Sequence, residues 1–216
     1  NGLAVNETET LTVDFDVIDG NGGVTAATAT LEVNGINDAP DVSGPVDGGI
    51  TNEDAAPAAI DLLANASDVD GDNLDVASVT VSTSNGDPVA IALIDYATGE
   101  LTIDPGQFNS LAAGESATLD ITYDVVDGNG GVTPATAALV VEGRNDAPES
   151  VGGFFPVDAI EVFTDADATE PLAIFDVTGG FTDVDSSDNL TYSATLAGGA
   201  ALPLWMTLDA VTGQLH

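Results

Sequence analysis

Residues 119–131 read Leu-Asp-Ile-Thr-Tyr-Asp-Val-Val-Asp-Gly-Asn-Gly-Gly. Leu119, Ile121, Tyr123 and Val125 alternate with Asp120, Thr122 and Asp124. A period of two sends the first set into a core and the second into water, as in a half-buried strand. The strand runs into Asp127-Gly-Asn-Gly-Gly131, whose Asp, Asn and Gly favour a tight turn. The same reading holds at residues 11–23. There Leu11, Val13, Phe15 and Val17 alternate with Thr12, Asp14 and Asp16 before Asp19-Gly-Asn-Gly-Gly23.

This doubling is part of a repeat. Residues 109–148 align without gaps on residues 1–40 at an offset of 108, with 25 identities in 40. Asn-Asp-Ala-Pro stands at 37–40 and again at 145–148. A weaker echo joins Asp68-Val-Asp70-Gly-Asp72-Asn73-Leu74 to Asp183-Val-Asp185-Ser-Ser-Asp188-Asn189-Leu190. Another joins Asp95-Tyr-Ala-Thr98-Gly99-Glu-Leu101 to Asp209-Ala-Val-Thr212-Gly213-Gln-Leu215. The repeat divides the chain into the tail of one domain (1–38), a whole domain (39–146) and the start of a third (147–216). The chain thus reads as a stretch from the interior of a longer array, and Asn1-Gly-Leu-Ala has no features of a signal peptide.

Further strands are expected at 58–63, 76–83, 89–95, 100–103 and 135–142, with turn clusters between them and no helical apolar stripe. About seven short strands in a 108-residue repeat predict an all-β fold: tandem Greek-key β-sandwich domains of cadherin or immunoglobulin type in a linear array.

Composition narrows the chemistry. The 216 residues carry 37 Asp and Glu against one basic side chain, Arg144, for a formal charge of −36. Such a polyanion is repelled by nucleic-acid phosphates and by anionic membranes. Cysteine and lysine are absent and the one histidine is His216, which removes disulfides, thiol and Schiff-base chemistry and Cys/His zinc sites. Hydrophobic residues still make up 44%, too many for a disordered acidic tail. No apolar run reaches the length of a membrane span.

The acidic residues gather in turns at matching places in each repeat. Two carboxylates about 4 Å apart repel by roughly 4 kcal/mol at an effective dielectric near 20. Asp68, Asp70 and Asp72 therefore need a cation if their oxygens converge. Calcium takes about 6–8 oxygens from Asp, Glu, Asn and carbonyl groups and tolerates irregular geometry better than magnesium does. Asn37, Asn73, Asn145 and Asn189, each beside an Asp, supply neutral oxygens. For Asp-Gly-Asn-Gly-Gly taken alone, a plain turn and a metal loop are both open; for Asp-Val-Asp-Gly-Asp-Asn the metal reading is the stronger. An EF-hand is excluded because the twelfth position from Asp68 is Val79 and the sixth is Asn73.

Residues 1–146 resemble the VCBS-type, cadherin-like tandem repeats of large bacterial surface adhesins of RTX type. The resemblance rests on Phe108-Asn-Ser-Leu-Ala-Ala-Gly-Glu-Ser116, Thr122-Tyr-Asp-Val-Val-Asp-Gly-Asn-Gly-Gly131 and the Asn-Asp-Ala-Pro junctions. Residues 147–216 resemble the dystroglycan-type cadherin-like variant through Phe181-Thr-Asp-Val-Asp185 and Leu202-Pro-Leu-Trp205-Met-Thr-Leu-Asp-Ala-Val-Thr-Gly213. Trp205 reads as a core residue.

The resemblance implies calcium at each junction between domains. The first junction would use Glu7, Asn37, Asp38, Asp68, Asp70, Asp72, Asn73 and Asp127. The second would use Glu53, Glu115, Asn145, Asp146, Asp183, Asp185, Asp188 and Asn189. Ions bridging domains and ions held within single domains are both compatible with these spacings. The implied function is a calcium-rigidified extracellular spacer in a bacterial adhesin or surface fibre serving adhesion and biofilm formation, secreted or at the bacterial cell surface, with no enzymatic activity. Adjacent repeats of the same chain are the expected partners, with like chains or a surface glycan or protein beyond them; nucleic acid and membrane insertion are not expected. A glycan- or protein-binding module is the alternative, as is a filament subunit built by head-to-tail complementation of partial domains.

Overall fold

The computed structural model describes residues 2–152, 175–176, 180–204 and 206–215. Trp205 lies outside the described residues. The chain forms two compact units: residues up to 107 together with 116–142, and 108–115 together with 143 onward.

The first unit opens with a long hairpin, β1 (Thr8–Ile18) and β2 (Val24–Asn34). It continues with β3 (Asp41–Val42), β4 (Val46–Asn52), β5 (Ala58–Asp61), β6 (Ala66–Ser67), β7 (Asp75–Thr83), β8 (Leu93–Asp95), β9 (Glu100–Ile103), β10 (Ser116–Val126) and β11 (Val132–Glu142). One sheet has the order β4-β11-β10-β7 and another β5-β9-β8. Their inward faces make a β-sandwich core of Ile60, Leu62, Leu101, Ile103, Leu119, Ile121, Val125, Leu139 and Val141, all 3% exposed or less. Each such side chain contributes about 1.5–3 kcal/mol on burial. Leu119, Ile121, Tyr123 and Val125 are the inward set, as their alternation requires. Tyr123 keeps its hydroxyl satisfied by donating to Leu62 O at 2.7 Å.

Three strands differ from the sequence expectation by more than one residue, the first being 58–63, which ends at Asp61. The run 89–95 is strand only at Leu93–Asp95. Val89 N–H donates to Val81 O, Ala90 N–H to Gln107 Oε1 and Ala92 N–H to Thr102 O, so the backbone groups before Leu93 are spent on three different neighbours and form no single ladder. β11 is longer than 135–142 and includes Pro134. β4 pairs β11 from Ala137 onward, which leaves Pro134 on an open edge where its missing N–H costs nothing. The β10–β7 ladder slips between Thr122 and Asp124, where Ser78 takes a φ of 55° in a bulge.

The 108-residue offset is visible in the pairing. β1 and β2 run in register from Thr8↔Asn34 to Ile18↔Val24, and β10 and β11 from Ser116↔Glu142 to Val126↔Val132. Every pair of the second hairpin is the first shifted by 108.

The second unit contains β12 (Glu149–Ser150), β13 (Phe175–Asp176), β14 (Phe181–Thr182) and β15 (Gln214–Leu215). β12 pairs with β14 as β3 pairs with β6, and β13 pairs with β15 as β5 pairs with β9. The turn at 209–213 repeats that at 95–99. Asp95 Oδ1 accepts from Ala97 and Thr98 N–H, and Asp209 Oδ1 from Val211 and Thr212 N–H. No helix among the described residues is long and apolar enough to cross a membrane.

Candidate metal centre

Three segments of the first unit converge on one cluster: the stretch after β2, the loop after β6 and the turn between β10 and β11. Asp127 directly follows β10 and is 4% exposed. Its Oδ1 accepts from the N–H groups of Asn129 (2.7 Å) and Gly131 (2.9 Å). Its Oδ2 accepts from Asn37 Nδ2 at 2.7 Å. Burial pushes the Asp127 carboxyl up, but the hydrogen bonds from Asn37 and from the Asn129, Gly131 and Gly130 backbones outweigh it and hold the group below the usual carboxylate value. A Cβ at Gly131 would run into Asp127 Oδ2 and stand 2.8 Å from Ala39 Cα, so glycine is what lets the turn close.

Asp68 Oδ1 accepts from Asp70 N–H at 2.8 Å, which folds the Asp-x-Asp loop back on itself. Asp70 Oδ2 accepts from Asp38 N–H at 2.7 Å, and Asn37 Nδ2 also donates to Asp38 O at 2.9 Å. Asp72 Oδ2 accepts from Asn129 Nδ2 at 2.8 Å. Carboxylate oxygens of Asp68, Asp72 and Asp127 lie within 4.8 Å of one another. Asn37 Oδ1, Asp68 Oδ2 and Asp70 Oδ1 are buried and accept no hydrogen bond.

That combination is costly for protein alone. Buried acceptor oxygens demand donors or a cation, the two carboxylate ones most of all, and these three have no donor. The described residues fit calcium: the donors are all oxygen, several are charged, and 4.8 Å is less than the roughly 5 Å spanned by two Ca–O bonds of about 2.5 Å.

The remaining members of the first sequence-derived set, Glu7 and Asn73, lie at the surface. Glu7 is exposed, and its Oε2 accepts from Ala4 N–H at 3.1 Å. Asn73 is exposed. Asn129 was not among the residues picked from sequence; its repetition as Asn21 in an identical pentapeptide was the available signal.

The second unit reproduces part of the arrangement. Asp146 N–H donates to Asp185 Oδ2 at 2.9 Å, Asp185 N–H to Asp183 Oδ1 at 3.1 Å, and Asn145 Nδ2 to Asp146 O at 2.6 Å. These match Asp38–Asp70, Asp70–Asp68 and Asn37–Asp38 contact for contact. Asp185 is 2% exposed, and its buried Oδ1 accepts no hydrogen bond. Asn109 Nδ2 donates to Asp146 Oδ2 at 3.2 Å, an addition the sequence reading missed. Glu115 Oε2 accepts from Ala112 N–H at 3.0 Å, as Glu7 does from Ala4. Asp188 and Asn189 are exposed. Glu53, in the first unit, is 2% exposed and its N–H donates to Glu142 O at 3.2 Å.

Asp19 shows the turn without the cluster. Its Oδ1 accepts from Asn21 N–H (2.8 Å) and Gly23 N–H (2.9 Å), which lower its pKa, yet the residue is exposed. Asp-Gly-Asn-Gly-Gly is therefore a self-sufficient turn, and the cluster forms where Asn37 reaches it.

Residues 36–142 match the family model of the Cadherin-like domain, and the sandwich is of that cadherin-like class. Among solved structures, protocadherin gamma C5 EC1–3 aligns with a TM-score of 0.46 and 19% identity, over 96% of this chain and 65% of that one. The protocadherin gammaB7 EC3–6 cis-dimer aligns with a TM-score of 0.44 and 16% identity, over 97% of this chain and 51% of that one. Mouse cadherin-23 EC22–24 aligns with a TM-score of 0.41 and 16% identity, over 96% and 62%. The chain spans about half to two thirds of the length of these structures. No curated protein matches the sequence.

Proposed function

We propose that this chain is a calcium-rigidified segment of an extracellular repeat array, a structural spacer in a large bacterial surface adhesin of the VCBS type. The observation that carries this is the set of buried oxygens without donors on Asn37, Asp68 and Asp70, beside Asp72 and Asp127. In this reading the domains are 1–38, 39–146 and 147–216. Asn37, Asp38, Asp68, Asp70, Asp72 and Asp127 hold calcium at the first junction, with Glu7 and Asn73 drawn in from nearby. Asn145, Asp146, Asp183 and Asp185 form the core of the second, with Glu53, Glu115, Asp188 and Asn189 completing it.

Calcium supplies positive charge to a chain that has one arginine against 37 acids. Asn37 and Asp38 sit in the linker, while Asp68, Asp70 and Asp127 belong to the following domain. An ion shared among them fixes the linker. Extracellular modules bind calcium with Kd of about 10⁻⁴–10⁻³ M, so the array stiffens outside the cell and stays limp where free calcium is scarce. At about a hundred times Kd, one ion adds roughly 2.7 kcal/mol to the folded state. Recurrence of the acidic sites in each repeat favours structure over catalysis, since a single active site does not recur.

Small-angle scattering of the chain with EDTA and with millimolar calcium tests the proposal. An increase in maximum dimension and loss of flexibility on adding calcium is expected; identical curves in both buffers would contradict it.

A further inference from the structure

We infer that Asn129-Gly130 is a deamidation site guarded by Asp72: the Asn129 carboxamide is lost once it lets go of Asp72, and the acid that replaces it opens the first cluster. Water is the only co-reactant. The backbone nitrogen of Gly130 attacks Asn129 Cγ. A Cγ–N bond forms, the Cγ–Nδ2 bond breaks, and Nδ2 leaves as ammonia with the proton from Gly130 N. Water then opens the five-membered succinimide at one of its two carbonyls and leaves aspartate or isoaspartate at 129. Glycine at 130 permits the attack because it has no Cβ to stand in the way. The turn also requires it: φ is 109°, where L side chains are strained, and beyond its chain neighbours no atom lies within 4 Å of where a Cβ would stand. The turn that assembles the cluster therefore carries a reactive pair.

Asn-Gly also stands at 34–35 and 85–86. There the attacking nitrogen is committed: Gly35 N–H donates to Glu7 O and Gly86 N–H to Thr83 O, both at 2.8 Å. Among the described residues Gly130 N–H has no carbonyl partner and lies beside the Asp127 carboxylate, which already accepts from Asn129 and Gly131 N–H. Asn129 is exposed, so water reaches it. What holds it back is its side chain. Nδ2 donates to Asp72 Oδ2 at 2.8 Å, and the carboxamide must leave Asp72 before Cγ can swing onto Gly130 N. Asp72 is thus a positioning residue that keeps the amide out of reach.

The product places a carboxylate where a donor stood. It sets a like charge against Asp72. The isoaspartate form also lengthens the backbone by a methylene inside the turn whose Asn129 and Gly131 N–H groups hold Asp127 Oδ1. Asp68, Asp72 and Asp127, whose oxygens lie within 4.8 Å of one another, then no longer converge, and calcium uptake at the first cluster falls. This loss of uptake rests on the calcium reading above; the modification itself does not.

The test is peptide mapping by mass spectrometry of the 216-residue chain, aged in warm, mildly alkaline EDTA buffer made with heavy-oxygen water. The product at 129 should carry a labelled oxygen. Asp72→Ala should convert Asn129 about fivefold faster than the wild type does, the factor carried by a typical net hydrogen bond. Asp72→Asn keeps an acceptor Oδ1 and should stay closer to the wild-type rate than Asp72→Ala. Asn21, in the same pentapeptide and with no side-chain bond among the described residues, gives the unguarded rate within the same chain. Asn85 should convert at one rate in all three proteins. Equal rates at Asn129 in the wild type and Asp72→Ala would overturn the guard, and an intact Asn129 where Asn85 has converted would overturn the site. Calcium titration of fresh and aged wild type tests the consequence. Uptake by the fresh chain that is lost on ageing is expected, and equal uptake by both would overturn it. No uptake by either sinks the calcium reading and leaves the modification site standing.

Discussion

Asn37 Nδ2 donates to Asp127 Oδ2 at 2.7 Å across a sequence separation of 90 residues. The bond ties the stretch between β2 and β3 to the turn that closes the β10–β11 hairpin. It also places Asn37 Oδ1, which accepts no hydrogen bond, among the carboxylates of Asp68, Asp70 and Asp127.

The carboxylates should cost stability when no ion is bound. Asp68→Asn removes a charge whose Oδ2 has no donor while keeping an Oδ1 for Asp70 N–H. We expect the variant to be more stable than the wild type in EDTA by roughly 1–2 kcal/mol, a fraction of the pairwise repulsion. It should be less stable than the wild type in millimolar calcium. Urea unfolding in the two buffers measures both; the same sign of change in each would contradict the account.

Asp127 sets an acid limit. Its folded-state pKa lies below the ordinary value of 3.8. Its stabilisation is therefore present above about pH 3.8 and lost as the pH falls through the lower folded value. Asp127→Asn should lower stability at neutral pH by about 1–2 kcal/mol and flatten the dependence of stability on pH below about pH 4. Unfolding midpoints in EDTA across that range check both effects.

Gly131→Ala should abolish the cluster. The added Cβ meets Asp127 Oδ2 and the Ala39 backbone, which cannot both move without releasing Asn37. Calcium binding at the first site should be lost, with the sandwich still folded by circular dichroism.

Tyr123→Phe tests the core independently of metal. The hydroxyl donates to Leu62 O in a buried setting, and its loss leaves that carbonyl without its partner. A destabilisation of about 1–3 kcal/mol is expected in both EDTA and calcium. Calcium affinity should be unchanged.

Arg144 is the only Lys or Arg and precedes Asn145 and Asp146 of the second cluster. Trypsin should cut after Arg144 rapidly in EDTA and about tenfold more slowly in millimolar calcium, because opening the segment then requires releasing the ion. Equal rates would show that calcium leaves this linker untouched.

The hairpins were legible because Leu119–Val125 and Leu11–Val17 alternate without a break and repeat at a fixed offset. The Asp-x-Asp loops were legible as acid crowded into turns. What a single sequence cannot carry is surroundings. Asp19 and Asp127 sit in identical pentapeptides, and what distinguishes them is the arrival of Asn37, Asp68 and Asp72 at the second. Glu7 and Glu115 have the spacing of ligands, and each also accepts from a backbone N–H three residues back, a local bond that the spacing does not reveal. Asp188 and Asn189 follow Asp183 and Asp185 closely and are exposed. Strand 89–95 failed for a related reason: Gln107 and β9 take its N–H groups, and that competition depends on tertiary contacts.

The most direct test of calcium in the first cluster is residue-resolved NMR during a calcium titration. The side-chain amides of Asn37 and Asn129 and the backbone amides of Asp38 and Asp70 should shift together and saturate with a Kd of about 10⁻⁴–10⁻³ M. If those signals stay fixed at saturating calcium while shifts appear only elsewhere, the cluster holds no ion and the rigid spacer has no clamp.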